Sequence, residues 1–590
     1  MNRNWDLSVI YPSFYSSTFH HDWSSLSLHI EQYSNWLQHQ CKTHDHEIEF
    51  LKEYIHRTEQ LENRIHKLAS MIHLTLAVDT SNSLAKNYME ALHKKLPLLT
   101  ASATQMKKWV GEVSHLSTKL SSDPELHNFQ YYFSLMQQEV KHMLSEPEEV
   151  LLSQLRNTGS SAWSRLQGEL ISTCTITKEN KDGHSEDIPL SKVLNMTFSK
   201  DPDERKTGFE MEMSAYKHTE HSCAASLNAI KGEFIELSKK RGYASPLDHA
   251  LHSHRMNRAT LDSMIQAVEE MLPTFEKFNQ YKARKLGYSV GLPFYDLHAP
   301  IEQNSSPSYS YEDASALVLK IFASFDSELE QMGSQAFRGN WIDVDPKKGK
   351  RNGAFCSSCP AIKQSRILLN FTGSIDNIFT MAHELGHAFH NQQMFKESTL
   401  LQSAPMPLAE TASIFNEMIA KEYLFKNASE DEKRSFLLKD ITRSTQVIVD
   451  IYSRFQFELE VFKAREEGLL DAKHLCELMK NAQIKAYMKG IDPSLLHPYM
   501  WINKPHYYMP NRHFYNVPYT FGELFGKSLF VEYKKSGQSF IPTYKTLLQN
   551  CGKGTVEEIA SSVGLNITKP EFWKQSLAPI KQNIDWLCYQ

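Results

Sequence analysis

The chain has 590 residues, of which 41% are apolar and 23% are charged, and its formal net charge is −5. Nucleic-acid and anionic-membrane binders concentrate lysine and arginine, so this charge argues against both kinds of partner. No run approaches the roughly 18 apolar residues that span a bilayer, and eight scattered cysteines form no disulfide framework, so we expect a cytoplasmic protein.

Helical periodicity dominates the chain. Leu61, Ile65, Leu68 and Ile72 recur at spacings of three and four, and residues 441–462 repeat this pattern, which predicts a mainly α-helical protein. The length exceeds that of one compact core. We place a domain boundary near residue 195, which divides an N-terminal helical domain (1–195) from a larger domain (196–590).

Two segments interrupt the helical pattern. The polar residues 176–190 fit either a small hairpin or a linker, and they lie just before the predicted boundary. Residues 286–310 carry several glycines, prolines and serines, so we predict a long loop there.

A strand, a turn and a helix are predicted next. The apolar run 366–371 has the length of a strand, and residues 372–374 (Thr-Gly-Ser) form a turn whose serine can cap a helix. Helical spacing then begins at Ile375, and Ile378, Phe379, Ala382 and Phe389 continue its apolar side.

The middle of this helix reads His383-Glu384-Leu385-Gly386-His387. Two histidines four residues apart lie on one helix face, so both imidazoles can bind one ion about 2 Å from each nitrogen. Glu384 points to a neighbouring part of that face, where it can accept a proton from a water that attacks a carbonyl. The alternative interpretation is that they are two surface histidines on an amphipathic helix and bind no metal.

A catalytic zinc needs a third protein ligand and one open position. Residues 407–417 are predicted to form a second helix, and its first carboxylate is Glu410. Glu417 lies two turns further on, about 10 Å away along the helix, which is too far to bind the same ion. We therefore predict one zinc ion on His383, His387 and Glu410, with Glu417 either orienting a ligand histidine or forming an ordinary salt bridge. His390 is expected near the site or at the surface.

The pair Cys356 and Cys359 has no second pair of metal ligands, so we expect no metal there. We predict that these residues lie in a loop between two short strands. An edge strand beside the metal helix could pair with an extended substrate, which makes Gly353 and Ala354 candidate substrate-binding residues.

Several separated motifs resemble the M3 metallopeptidases, and most closely the oligoendopeptidase F branch. The resemblance spans almost the whole chain and is most specific between residues 350 and 525. It is carried by residues 5–8, 11–12, 294–297, 299–300, 352–355, 369–371, 383–387, 409–413 with Glu417, 505–508 and 514–522.

The resemblance implies an elongated, multi-helical fold that encloses a deep substrate channel, with a small β-sheet beside the zinc helix. It also implies that a histidine and a tyrosine near the C-terminus bind the oxyanion. His506 and His513 both precede a tyrosine. The family spacing to Tyr515 favours His506 with Tyr515, and Tyr519 is a further candidate for binding substrate.

These features predict a cytoplasmic zinc endopeptidase, a monomer or weak oligomer, in which residues 196–590 form the catalytic domain. Its substrates are expected to be short, unstructured oligopeptides, with Glu384 as the general base. Two alternative hypotheses remain. One is a non-catalytic peptide-binding protein that keeps this fold, and the other is a zinc hydrolase that acts on other amides or esters.

Overall fold

The computed structural model describes residues 2–179, 185–301 and 308–589. Helices account for 72% of the structure and strands for 4%, which confirms the predicted mainly helical class. Within the described ranges, no helix combines the length and the apolar character that crossing a bilayer requires.

The helices are numbered along the chain. The first twelve are α1 (Ser17–Gln40), α2 (Glu47–Val78), α3 (Ser83–Lys95), α4 (Pro97–Glu112), α5 (Leu116–Ser122), α6 (Gln130–Val140), α7 (Glu146–Thr158), α8 (Ser160–Ser172), α9 (Leu190–Asn195), α10 (Pro202–Lys240), α11 (Pro246–Ser253) and α12 (Arg258–Lys285). The others are α13 (Tyr311–Ala323), α14 (Ser327–Arg338), α15 (Ile375–Met394), α16 (Thr411–Asn427), α17 (Glu430–Thr445), α18 (Ile451–Glu467), α19 (Ala472–Tyr487), α20 (Met500–Asn503), α21 (Val517–Ser536), α22 (Ile541–Gln549), α23 (Val556–Ser562) and α24 (Pro570–Tyr589). The strands are β1 (Thr175–Glu179), β2 (Ser185–Pro189), β3 (Ile342–Asp343), β4 (Phe355–Cys359) and β5 (Gln364–Leu368).

The chain forms two compact units, and each is discontinuous in sequence. Unit 1 comprises Met1–Lys141, Ser305–Asn427 and Phe525–Leu565, and unit 2 comprises His142–Asn304, Ala428–Leu524 and Asn566–Gln590. The boundary that we predict near residue 195 divides the chain by sequence order alone, and it stays a prediction.

Unit 1 contains a three-stranded sheet in the order β3-β5-β4. Strand β3 runs parallel to β5, and β4 runs antiparallel to it with Phe355 opposite Leu368. The predicted strand at 366–371 begins two residues earlier, at Gln364. Its last part still bonds to the sheet, because Leu369 N donates to Asp343 O and Phe371 N to Val344 O, at 2.8 and 2.9 Å.

A hydrophobic core supports this sheet. The predicted stripe on α2 is buried at Leu61, Leu68 and Ile72, in one cluster with Leu368 of β5, while Ile65 packs partly buried against it. Burial of such side chains stabilises each by about 1.5–3 kcal/mol, and this packing holds the sheet against α2.

Unit 2 contains the predicted hairpin, because β1 and β2 pair antiparallel with Thr175 opposite Pro189. Residues 180–184, which join them, lie outside the described residues. The predicted long loop contains an isolated β-bridge between Leu292 and Ile491 and a short 3₁₀ turn at Phe294–Asp296. Residues 302–307 also lie outside the described residues. The stripe over 441–462 does not belong to one regular helix, because a π-helical turn at Gln446–Asp450 joins α17 to α18.

Candidate metal centre

The helix that carries the two predicted histidine ligands is α15. It starts as predicted, with Ser374 as N-cap in a reciprocal capping box with Asn377. The φ of Gly373 is +89°, and a Cβ there would lie 2.9 Å from Tyr309 O, so the turn from β5 requires glycine. The predicted apolar side is buried at Ile375, Ile378, Ala382 and Phe389, whereas Phe379 is half-buried.

Helix α16 packs directly against α15 at Gly386. A Cβ at this position would lie 2.7 Å from Ala412 O and 2.7 Å from the Cα of Ser413. Only glycine allows so close an approach of two helices. The contact brings the start of α16 against the histidine-bearing face of α15.

Glu410 precedes α16 rather than lying within it. Our predicted helix over 407–417 is wrong at its start, because Met406–Leu408 form a separate short turn and α16 begins at Thr411. Glu410 still adjoins the first turn of α16, because its carbonyl oxygen accepts from Ile414 N at 3.0 Å. Ser413 Oγ donates to Glu410 Oε2 at 2.9 Å, which holds that carboxylate in place.

The structure brings His383, His387 and Glu410 together. Glu410 Oε2 lies 3.2 Å from His383 Nε2 and 3.4 Å from His387 Nε2, and one ligand atom from each residue lies within 4.8 Å of the others. Ligands placed tetrahedrally about 2 Å from one zinc ion are about 3.3 Å apart. The spacing and the His-His-Glu donor set therefore fit zinc.

The electrostatics of this cluster also favour a cation. Burial lowers the pKa of His383, but Glu410 and Glu417 outweigh that effect and raise it to about 10. Burial alone would raise the pKa of Glu410, yet its contacts with the two histidines hold it well below its usual range. Two carboxylates thus face the imidazoles, and a divalent ion can take the place of the proton that they attract.

Glu384 lies beside these groups but does not join them. It is 6% exposed, and its Oε2 is buried without a hydrogen-bond partner among the described residues. Burial raises the pKa of this carboxyl, and the two neighbouring histidines oppose the effect. A buried carboxylate with a raised pKa and a free oxygen is suited to accepting and returning a proton.

Glu417 contacts the other side of His383. Its Oε2 lies 3.4 Å from His383 Nδ1, and its Oε1 lies 2.8 Å from Lys421 Nζ. A carboxylate at Nδ1 fixes the tautomer that leaves Nε2 free to bind a metal. Sequence reasoning missed Ser413 and Lys421, although their spacings of three and four residues from Glu410 and Glu417 were available signals.

The side chain of His390 is buried and only 3% exposed. Of the two positions that we predict for it, the one at the surface is therefore wrong. Burial lowers its pKa to about 3, which keeps the ring neutral. Its side chain is not among the three that converge as metal ligands.

Strand β4 is an edge of the sheet and packs against α15. Our prediction of a loop at Cys356–Cys359 is wrong, because these residues form the strand itself with Phe355. Ladder bonds to β5 favour this extended conformation. Gly353 is exposed and Ala354 half-buried just before the strand, and Asn370 Nδ2 donates to Gly353 O at 2.8 Å.

The C-terminal histidine and tyrosines lie in unit 2. The His506 ring stacks on Tyr515 with centroids 5.0 Å apart, and Tyr519 lies 6.2 Å from His506 and 5.8 Å from Tyr515. His513 differs, because its side chain is fully buried against Phe234 and its Nδ1 accepts from Lys231 Nζ at 3.1 Å. The three rings therefore form one cluster without His513.

Two family models match the chain. The model described as peptidase family M3 matches residues 195–579, and the model described as oligopeptidase F matches residues 114–175. The first match covers more than half of the chain and includes every candidate site residue.

Curated relatives and solved structures agree with these models. Oligopeptidase PepF of Bacillus subtilis is 24% identical over 98% of this chain and 86% of its own length, and an oligoendopeptidase F homologue of Lactococcus lactis is 26% identical over 75% and 74%. The crystal structure of oligoendopeptidase F from Enterococcus faecium has a TM-score of 0.70 at 18% identity, covering 96% of this chain and 98% of its own. A candidate peptidase from Chlamydophila abortus has a TM-score of 0.84 at 20% identity, covering 100% and 98%.

Proposed function

The chain belongs to peptidase family M3, and on this premise we propose that it is a zinc-dependent endopeptidase that hydrolyses peptide bonds in short, unstructured oligopeptides. The predicted resemblance to M3 peptidases and to oligoendopeptidase F is confirmed, and the family and its relatives identify the chain as a metallo-oligopeptidase. The bound zinc ion, the roles of the individual residues and the class of substrate are parts of what we propose.

One observation carries the proposal. The ligand atoms of His383, His387 and Glu410 converge within 4.8 Å, and the unpartnered Oε2 of Glu384 is buried on the same helix. A purely structural metal site closes its coordination with four protein ligands, whereas a catalytic site uses three and keeps one position open. Three ligands and an adjacent carboxylate favour hydrolysis over a structural role.

The residues have separate tasks in this mechanism. When bound to His383, His387 and Glu410, zinc supplies a Lewis acid that polarises the scissile carbonyl and lowers the pKa of water. Glu384 accepts the proton of the attacking water and returns it to the departing amine. Its raised pKa makes Glu384 a stronger base than an exposed carboxylate, which favours acceptance of the proton from water.

His506 and Tyr515 are proposed to donate hydrogen bonds to the oxyanion, and Tyr519 to contact the substrate. Burial lowers the pKa of His506, with Arg454 and Lys504 adding to the effect, so the ring is neutral at neutral pH. Neutral donors held in place stabilise developing charge without a cost of reorganisation. The burial of His513 supports the choice of His506.

Three further parts belong to the same proposal. Residues 196–590 are taken as the catalytic domain, which is supported by the family match beginning at residue 195. Gly353 and Ala354 are taken to contact substrate beside the edge strand β4. The cytoplasmic location is supported by eight cysteines that are all free thiols, and the monomeric or weakly oligomeric state stays a prediction.

The test uses the full-length protein and a quenched-fluorescent peptide. We expect one zinc per chain by elemental analysis, loss of cleavage after chelation, and recovery when zinc is restored. Glu384→Gln should keep the zinc and lose cleavage, whereas the control Asp376→Asn, on the exposed side of α15, should keep both.

The outcomes separate the alternatives. Tight peptide binding without chelator-sensitive cleavage would support a non-catalytic binding protein. Zinc-dependent hydrolysis of esters or small amides without any cleaved peptide in mass spectra would support another zinc hydrolase. Either result overturns the proposal.

A further inference from the structure

The residues that follow the three clustered rings share one feature. Tyr507 follows His506, Asn516 follows Tyr515, and Thr520 follows Tyr519. Each of these three residues hydrogen-bonds to one short segment, residues 447–454, which spans most of the π-helical turn Gln446–Asp450 and the first turn of α18. We call this segment the π-turn platform, and its bonds are described next.

The first bond is made by Thr520. Its Oγ1 donates to Val447 O at 2.7 Å, and Val447 lies in the π-helical turn Gln446–Asp450. A π-helical turn contains one extra residue and disturbs the regular pairing of helix carbonyls. Thr520 therefore satisfies a carbonyl of the turn and at the same time ties Tyr519 to it.

Arg454 makes the other two bonds. Its Nη1 donates to Asn516 Oδ1 at 3.3 Å, and its carbonyl oxygen accepts from the Tyr507 hydroxyl at 3.5 Å. Asn516 is 2% exposed and Tyr507 is fully buried, so neither side chain can turn towards water instead. Arg454 thus contacts the neighbours of both His506 and Tyr515.

A buried ion pair holds Arg454 itself. Its Nη2 lies 2.5 Å from Asp450 Oδ2, and the two side chains are 12% and 8% exposed. Asp450 is the last residue of the π-helical turn, so the turn positions the carboxylate that orients the guanidinium. Breaking such a pair is costly because it leaves one charge buried and unpaired.

We propose that the π-turn platform positions His506, Tyr515 and Tyr519 for the reaction, with Arg454 as its central positioning residue. This inference rests on the roles proposed above for the three rings. The platform lies behind them, because it bonds to their chain neighbours rather than to the rings.

The platform also sets the charge state of His506. Burial and the positive charges of Arg454 and Lys504 lower the pKa of His506, and the neighbouring Asn516 side chain opposes them. The charged or titratable groups around the ring are Arg454, Lys504, Tyr515 and Tyr519, with Arg512 over the Tyr515 ring at 5.9 Å. Removal of the Arg454 charge should therefore raise the pKa of His506.

Three variants separate geometry from charge. Arg454→Lys keeps the charge but loses the planar fork, so kcat should fall at least about tenfold with little change in KM or pH profile. Arg454→Met should lose activity similarly and also move the acid limb of the kcat/KM profile to higher pH. Thr520→Val removes the hydroxyl at nearly constant volume, and kcat should fall several-fold.

Two controls test whether a loss of activity results from unfolding rather than from a loss of positioning. The double variant Asp450→Asn with Arg454→Met removes both charges of the pair, so it should fold even where the single variant does not, and it should still show the lowered kcat. Arg205→Lys alters another buried ion pair, in which Nε lies 2.6 Å from Asp296 Oδ1. It should lower the melting temperature without moving the pH profile.

His506→Gln distinguishes this inference from the proposed function. If His506→Gln abolishes turnover while the Arg454 and Thr520 variants behave like the wild type, the platform has no positioning role and the inference is overturned. If His506→Gln itself turns over like the wild type, the oxyanion assignment fails, and the inference falls with it.

Discussion

A methyl group added at Gly386 is predicted to separate α15 from α16 and thereby to weaken zinc binding. The new Cβ would lie 2.7 Å from two backbone atoms of α16, Ala412 O and Ser413 Cα, about 0.7 Å inside ordinary van der Waals contact. Backbone atoms cannot turn aside as a side chain can, so the start of α16 must move and carry Glu410 with it.

The expected magnitudes follow from this displacement. Overpacking of this kind costs about 1–3 kcal/mol in the free energy of unfolding, and disturbing the groups that orient a metal ligand costs about 10–100-fold in metal affinity. Chelator competition measures the zinc affinity of Gly386→Ala, and urea unfolding of the apoprotein measures its stability.

Gly168 provides a matched control. It also lies within a helix, α8, but a Cβ added there meets nothing within 4 Å. Gly168→Ala should therefore stabilise the chain by about 0.5–1 kcal/mol and leave zinc affinity unchanged. Wild-type zinc affinity and stability in Gly386→Ala would refute the reasoning about helix approach.

Three other predictions concern carboxylates. Glu384→Gln should lower kcat by about 10²–10⁴-fold with zinc content unchanged by elemental analysis; near-normal turnover would remove the residue from its proposed role. Glu410→Ala should lose zinc during dialysis that the wild type withstands, and full retention would show that another group is the third ligand. Burial raises the pKa of Glu62 to about 7, above its unfolded value, so the folded state binds more protons and stability should fall as pH rises from about 4.5 to 7. Glu62→Gln should match the wild type near pH 4 and exceed it by about 3 kcal/mol near pH 8 in urea unfolding, whereas equal curves at both pH values would contradict the assigned pKa.

The sequence predicted the parts of the site that depend on short-range order. Ser374 caps α15, and His383 and His387 share a face because four residues make about one turn of helix. These relations hold within a few residues of chain, so spacing and residue type were enough to predict them. Glu410 was predicted with less support, because its reach depends on a turn whose path the residues 388–409 do not reveal.

The predictions of secondary structure are wrong where packing between distant segments overrides the local preferences of the residues. The position of Cys356 and Cys359 between the short segments 353–355 and 367–369 predicts a loop, but pairing with β5 makes these residues a strand. The start of α16 was placed too early because residues 407–410 look helical by composition. In both places tertiary contacts outweigh weak local propensity.

The sequence by itself determined which helix carries the candidate metal ligands, the predominance of helix and the order of the family motifs, because each depends on residues that are close together in the chain. Only the tertiary structure decided that Gly386 is a point of helix contact, that Glu417 bridges His383 to Lys421, and that Arg454 bonds to Tyr507 and Asn516. The physical reason is the range of the interactions. A helix is specified by contacts three and four residues apart, whereas these groups meet only after segments distant in the chain have packed together.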